Sequence, residues 1–144
     1  MKKDHIRDYA TEAFRFYAKT GGSKKYIEKI VADMQKQKGV GVVNPTEGAL
    51  IAKERAIEEN AAELADLEAV EKAMHLIEKL PQGGSILKAI EYVYFKDCWR
   101  ELRRGDIKSR VHYAEIHIPA SERQIYRWLS KARLLFAQER GLRI

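Results

Sequence analysis

The chain has 144 residues, 33% of them charged, with only 9 Gly and 3 Pro and a net charge of +6. That length gives one real core or two small ones, and that composition favours an all-helical protein over a sandwich or barrel. No apolar run approaches the ~18 residues of a membrane span, MKKDHIRDYA lacks the layout of a signal peptide, and a lone Cys98 allows no internal disulfide and fits a reducing cytosol.

Residues 4–19 predict an amphipathic helix. Ile6, Ala10, Ala13, Phe14 and Tyr17 share one face, Phe16 lies off it, and Gly21-Gly22 stops it. Ser23 starts a second helix with Ile27, Ile30, Val31 and Met34 inward. Lys24, Lys25, Lys29 and Lys36 face out, a surface more readily explained by solvation than by nucleic acid. Residues 38–44, KGVGVVN, have two glycines and no period, which predicts a loop or hinge.

Asn44-Pro45-Thr46-Glu47 announces the next helix with a cap residue, a proline at the first helical position and a glutamate three after the cap. From there to Leu80 the only breaker is Gly48, so one helix of about 35 residues and about 50 Å is permitted. Leu50, Ile57 and Leu64 are spaced by heptads, and so are the pairs Leu67/Met74 and Val70/Ile77. The frame shifts between Leu64 and Leu67, which leaves room for a bend or break near Asn60. Dimerisation through residues 50–77 is the expectation, with packing on the chain's own N-terminal helices as the alternative.

Leu80-Pro81-Gln82-Gly83-Gly84 is a stop and turn. Ser85 restarts a helix with Ile86, Ile90, Val93 and Tyr94 inward, running to Leu102 or breaking near Lys96-Asp97. Asp106 caps a short helix with Ile107, Val111, Ala114 and Ile118 on one side. After Pro119 comes SERQIYRWLSKARLLFA, residues 121–137. Ser121 and Gln124 have the capping-box spacing. Ile125, Leu129, Ala132 and Phe136, widened by Trp128, make an apolar stripe, and Arg123, Arg127 and Lys131 fall on the opposite half. An apolar back and a cationic front joined to a preceding short helix by a tight turn fit a helix-turn-helix whose last helix enters a DNA major groove. The bland alternative is a surface helix with a solvated basic face.

Charge is segregated in a way that bears on partners. Residues 1–44 carry ten Lys/Arg against five Asp/Glu, residues 45–80 four against nine, and residues 81–144 thirteen against seven. A polyanion would meet the ends rather than the middle. Nothing points to catalysis. His5, His75, His112 and His117 show no zinc spacing with Cys98 or one another, and no phosphate-binding glycine motif is present. No catalytic residue, metal or cofactor is expected.

The stretch from Val70 to Arg140 resembles the −35-reading domain of bacterial sigma factors, and more closely phage and prophage transcriptional regulators of the RinA and ArpU type. The likeness rests on Ile77-x-x-Leu80-Pro81, on Tyr92-Val93-Tyr94 and above all on Ser121-Glu122-Arg123-Gln124-Ile125-Tyr126-Arg127-Trp128-Leu129 with Lys131-Ala132-Arg133. Gly41-x-x-Asn44-Pro45-Thr46 before a long helix is similar too. The lead-in from Cys98 to Ser109 is longer than in that family, and so, by one residue, is the spacing from Ala114 to Ser121. The resemblance implies transcription control of phage or prophage genes, with double-stranded DNA and RNA polymerase as partners.

The expected architecture is all-α: an N-terminal helical hairpin and loop over 1–44, a long connecting helix over 45–80, and a helix-turn-helix DNA-binding domain over 81–144. Glu122, Arg123 and Arg127 are candidates for base edges, since a guanidinium grips guanine bidentately and a carboxylate accepts from cytosine. Ser121, Gln124, Tyr126, Lys131, Lys108 and Arg110 are candidates for phosphates. A phage DNA-packaging subunit, similar to small terminases, and a helical protein-binding adaptor are the alternatives.

Overall fold

The computed structural model describes residues 4–37 and 45–143, and every regular element among them is helical. They are α1 (His5–Thr20), α2 (Ser23–Gln37), α3 (Pro45–Glu59), α4 (Ala61–Glu78), α5 (Gly83–Ile90) continued by a π-helical turn (Glu91–Phe95), α6 (Asp106–His117) and α7 (Glu122–Arg140). No helix among them is long and apolar enough to cross a membrane. The loop expected over 38–44, with Asn44 as cap, lies outside the described residues.

One hydrophobic core joins α1, α4, α5, the π turn, α6 and α7. Phe14, Val70, Ile77, Ile90, Val93, Val111, Ile125, Leu129 and Phe136 are fully buried in it. α7 lies against α4 most extensively and also meets α1, α5 and α6. Its stripe is the expected one, with Ile125, Trp128, Leu129, Ala132 and Phe136 all buried. Each large apolar side chain so buried contributes about 1.5–3 kcal/mol, which fixes the rotation of α7 and so decides which side faces water. Phe14 sits 5.6 Å from Tyr94 and 6.1 Å from Phe136, tying α1 to both.

The long connecting helix expected over 45–80 is two helices. Asn60, at φ −120° and ψ 30°, interrupts it. The Asn60 side chain donates to the Ala56 carbonyl (3.0 Å) and accepts from the Tyr26 hydroxyl (3.4 Å), bonds that compete with helix continuation. Beyond the break the two halves differ. α4 buries Leu64, Leu67, Val70 and Ile77 in the chain's own core, so these residues are not available as a dimer seam. α3 packs on α2 through Ala52 and Ala56 and leaves Leu50, Ile51 and Ile57 exposed.

One further boundary differs from expectation, and another takes the earlier of its two expected ends. α5 begins at Gly83 rather than Ser85. A Cβ at Gly83 would lie 2.3 Å from the Ile77 carbonyl oxygen, so only glycine lets the chain turn this closely against the end of α4. The other end stops at Lys96, which is extended, and is followed by Asp97 in the left-handed region at φ 49°. Trp99 and Leu102 are therefore in a connecting loop and not on the helix.

That loop is held by two arginines. Arg15, on α1, is 1% exposed. Its guanidinium donates to the carbonyls of Tyr94 (3.3 Å), Asp97 (3.2 Å), Cys98 (3.3 Å) and Arg100. Arg110, on α6, donates to the carbonyls of Val93 (3.0 Å) and Lys96. A buried cation is tolerated because these carbonyls replace its hydration, and the orphan C=O groups at the helix end gain donors in return. Asp106, expected to cap α6, instead turns back. Its carboxylate accepts the Arg103 N–H at 2.6 Å and pairs with Arg100 at 3.2 Å, while Gly105 takes the cap position.

Candidate nucleic-acid interface

α6 and α7 are joined by four residues, Ile118 to Ser121, and the turn is fixed from both sides. Ser121 Oγ accepts the Gln124 N–H at 3.2 Å, as the sequence predicts. The reciprocal bond from the Gln124 side chain is absent among the described residues. Instead, Glu115 on α6 accepts the Glu122 N–H at 3.3 Å, satisfying a second orphan donor of α7 from the neighbouring helix.

The sequence-selected residues divide into three groups. Glu122, Arg123, Tyr126 and Arg127 come together and, with Ser130, line one concavity of about 520 Å³ on the solvent side of α7. Lys131 continues the exposed face one turn on. Arg123, Arg127 and Lys131 enter no ion pair among the described residues, so their charge is available to an external anion. Ser121 is employed in the cap through its hydroxyl, Gln124 only through its backbone N–H. Lys108 is exposed on α6, outside the concavity, and the Arg110 guanidinium is half-buried and committed to the carbonyls of Val93 and Lys96. Burial lowers the Arg110 pKa, and the neighbouring Arg15 charge adds to this.

Tyr126 keeps its proton more firmly than a free tyrosine. Partial burial raises its pKa, with the Glu122 carboxylate adding to the effect. It lines the same concavity as Arg123 and Arg127, and hydroxyl and guanidinium donors recognise phosphate oxygens or the O6 and N7 acceptors of guanine.

Glu122 is less free than the arginines. His112 on α6 lies 3.9 Å from its carboxylate through Nε2 and 3.6 Å from Glu115 through Nδ1. The ligand atoms of His112, Glu115 and Glu122 all fall within 4.8 Å of one another, so these three are the group among the described residues that could share a cation. Spacing of histidines and cysteine could not reveal them, because the turn brings in the carboxylates.

A second polar cluster, missed in the sequence, flanks α6. Lys96 Nζ sits 4.6 Å and 4.5 Å from the ring centres of Tyr92 and Tyr113, and Tyr113 lies 4.5 Å from His117. With Asp97, Arg100, Asp106, Ser109 and Arg110, Tyr92, Lys96 and Tyr113 border a cavity of about 300 Å³. The Arg103 N–H donated to Asp106, with the Arg100 guanidinium beside it, holds that carboxyl below the usual range. Its only signal in the sequence was the aromatic run Tyr92-Val93-Tyr94.

No known family model, characterised protein or solved structure matches the chain.

Proposed function

We propose that this chain is a sequence-specific DNA-binding protein that controls transcription, of phage or prophage type by its resemblance. One observation carries the reading. Arg123, Arg127 and Lys131 stand exposed along α7, with no ion-pair partner among the described residues and opposite a buried stripe, so the cationic face is held rigidly where a groove could receive it. Arg123 and Arg127 reach base edges, Glu122 and Tyr126 flank them, and Lys131 and Lys108 meet phosphates. DNA is the partner with a surface of matching chemistry. RNA polymerase rests on the resemblance alone, and a cytosolic location follows from the partner. Self-association falls to α3, whose Leu50, Ile51 and Ile57 are the most exposed large apolar side chains of residues 50–77.

The test separates base reading from general attraction. Arg127→Ala is expected to weaken binding to a selected duplex by ~1–3 kcal/mol and to relax preference at one base position. Lys131→Ala is expected to weaken selected and scrambled duplexes alike, lowering the salt slope by about one unit. Equal losses for Arg127→Ala on both duplexes would make that arginine a backbone contact. No change for either variant would leave the face a solvated surface and remove the proposal.

A further inference from the structure

Two apolar surfaces outside the α7 face are complementary. The first is a cleft of about 350 Å³ between α1, α2 and the loop after the π turn. Phe16, Tyr26, Ile30 and Trp99 line it, and Trp99 is 77% exposed. Phe16 and Tyr26 stand edge to face, with ring centres 5.5 Å apart, as a preformed wall. Trp99 stands on the loop that Arg15 holds through the carbonyls of Asp97, Cys98 and Arg100, so the indole is presented to water by a braced backbone. Lys19 and Lys29 border the cleft, against the single carboxylate of Asp33. Large aromatic side chains on rigid supports with water on one side are what binding hot spots consist of.

The second surface is the outer side of α3. Leu50, Ile51 and Ile57 are 58%, 53% and 41% exposed, on the side opposite the buried Ala52 and Ala56. Leu50 and Ile57 are seven residues apart and so lie on one line of the helix, with Glu54 between them and Glu58 beside Ile51. The helix carries Glu47, Glu54, Glu58 and Glu59 against Lys53 and Arg55, and Arg55 is spent on Glu59 at 3.3 Å.

We infer that the cleft receives α3 of a second copy of this chain, with Leu50 and Ile57 against Trp99, Phe16 and Tyr26 and with Glu54 and Glu58 facing Lys19 and Lys29. The inference rests on the self-association reading above and says what α3 docks into. Aliphatic side chains fill an aromatic-lined space, and acidic flanks meet a basic rim; among the described residues both surfaces are left open. Because the two surfaces differ, the contact is heterologous. It adds copies head to tail, closing into a ring or continuing as a filament according to the rotation between neighbours.

Sedimentation of the full chain tests this, with three samples beside the wild type: Trp99→Ala, the double variant Leu50→Glu/Ile57→Glu, and their equimolar mixture. The substituted side chains are all exposed, and circular dichroism checks that each variant is folded. The wild type is expected to rise with concentration above its monomer mass of 16.6 kDa. Each variant alone is expected to stay monomeric, since each lacks one half of every junction. The mixture is expected to stop at twice the monomer mass, because one intact cleft and one intact α3 remain. The wild type's tryptophan emission is expected to move to shorter wavelength as Trp99 is covered, while Trp128 is buried throughout. A wild type that is monomeric at every concentration overturns both the inference and the self-association reading. A wild type that associates, with the α3 variant monomeric but Trp99→Ala associating normally, overturns the inference alone and leaves α3 packing on α3.

Discussion

Arg15 shows how one residue can govern the shape of a surface far from it in sequence. Its guanidinium is the shared donor for carbonyls of residues 94 to 100. Arg15→Met keeps the length of the side chain and removes the donors, leaving buried acceptors without partners. The expected loss is roughly 3 kcal/mol or more, which lowers the melting temperature by on the order of 10 °C. Arg15→Lys is expected to recover only part of it, since an ammonium cannot reproduce the planar fork. An unchanged melting curve for Arg15→Met would mean that the loop holds itself. Leu129→Ala, fully buried on α7, is expected to cost ~2–5 kcal/mol by leaving a cavity. The sign of the Asp106 effect is also fixed. Its folded pKa is depressed, so it stabilises above the unfolded value near ~3.9 and that contribution is lost as pH falls through the folded value. Asp106→Asn is therefore expected to lower the melting temperature at neutral pH and to converge on wild type as pH falls through the folded value, which flattens the acid limb. These residues differ in how far the sequence revealed them. Leu129 was legible because it sits on a helical period. Arg15 was not, because a lone arginine beside an apolar stripe reads as solvated until its partners, 79 to 85 residues away, are brought to it.

At the scale of elements, periodicity located the helices and misjudged their joints. The stripe of α7 and its Ser121 cap follow from local sequence, since both are made by residues within a few positions of each other. The break at Asn60 was visible only as a shift of the heptad frame, because the alanine-rich segment around it has helical propensity on both sides. What stops the helix is partly Tyr26, 34 residues away. The break at Lys96-Asp97 stood in the sequence only as one of two possible ends, and the π turn before it had no local signal, since the orphan carbonyls there are answered by α1 and α6. The paired glycines at the start of α5 make the distinction testable. Gly83 is pressed against the carbonyls of Ile77 and Glu78, whereas a Cβ at Gly84 would meet nothing within 4 Å. Gly83→Ala is expected to destabilise by roughly 2 kcal/mol or more through backbone displacement. Gly84→Ala is expected to stabilise by about 0.5–1 kcal/mol, because alanine loses less entropy in a helix. Denaturant midpoints of the two variants check this, and the same sign for both would mean that the turn is not as tight as described.

For the whole molecule the deciding question under the proposed function is which basic end would meet DNA. Residues 1–44 and 81–144 both carry an excess of Lys and Arg, with the acidic stretch between them. Net charge alone cannot choose, since each phosphate contact contributes to the salt dependence wherever it is made. The structure separates the candidates by support. Lys24 and Lys25 are exposed on α2, whereas Arg123, Arg127 and Lys131 project from a helix packed into the core. If DNA lies on α7 alone, the pair Lys24→Gln/Lys25→Gln should leave the slope of log affinity against log salt unchanged within error. Lys131→Ala should lower that slope by about one unit. The measurement is a titration of one duplex at four or more salt concentrations for wild type and both variants. A fall of about two units for the α2 pair would place phosphates against the N-terminal helices as well, and DNA would then have to contact both basic ends while avoiding the acidic α3 and α4. Loss of slope for the α2 pair with none for Lys131→Ala would move the interface to α2 and leave the cationic face of α7 to solvent.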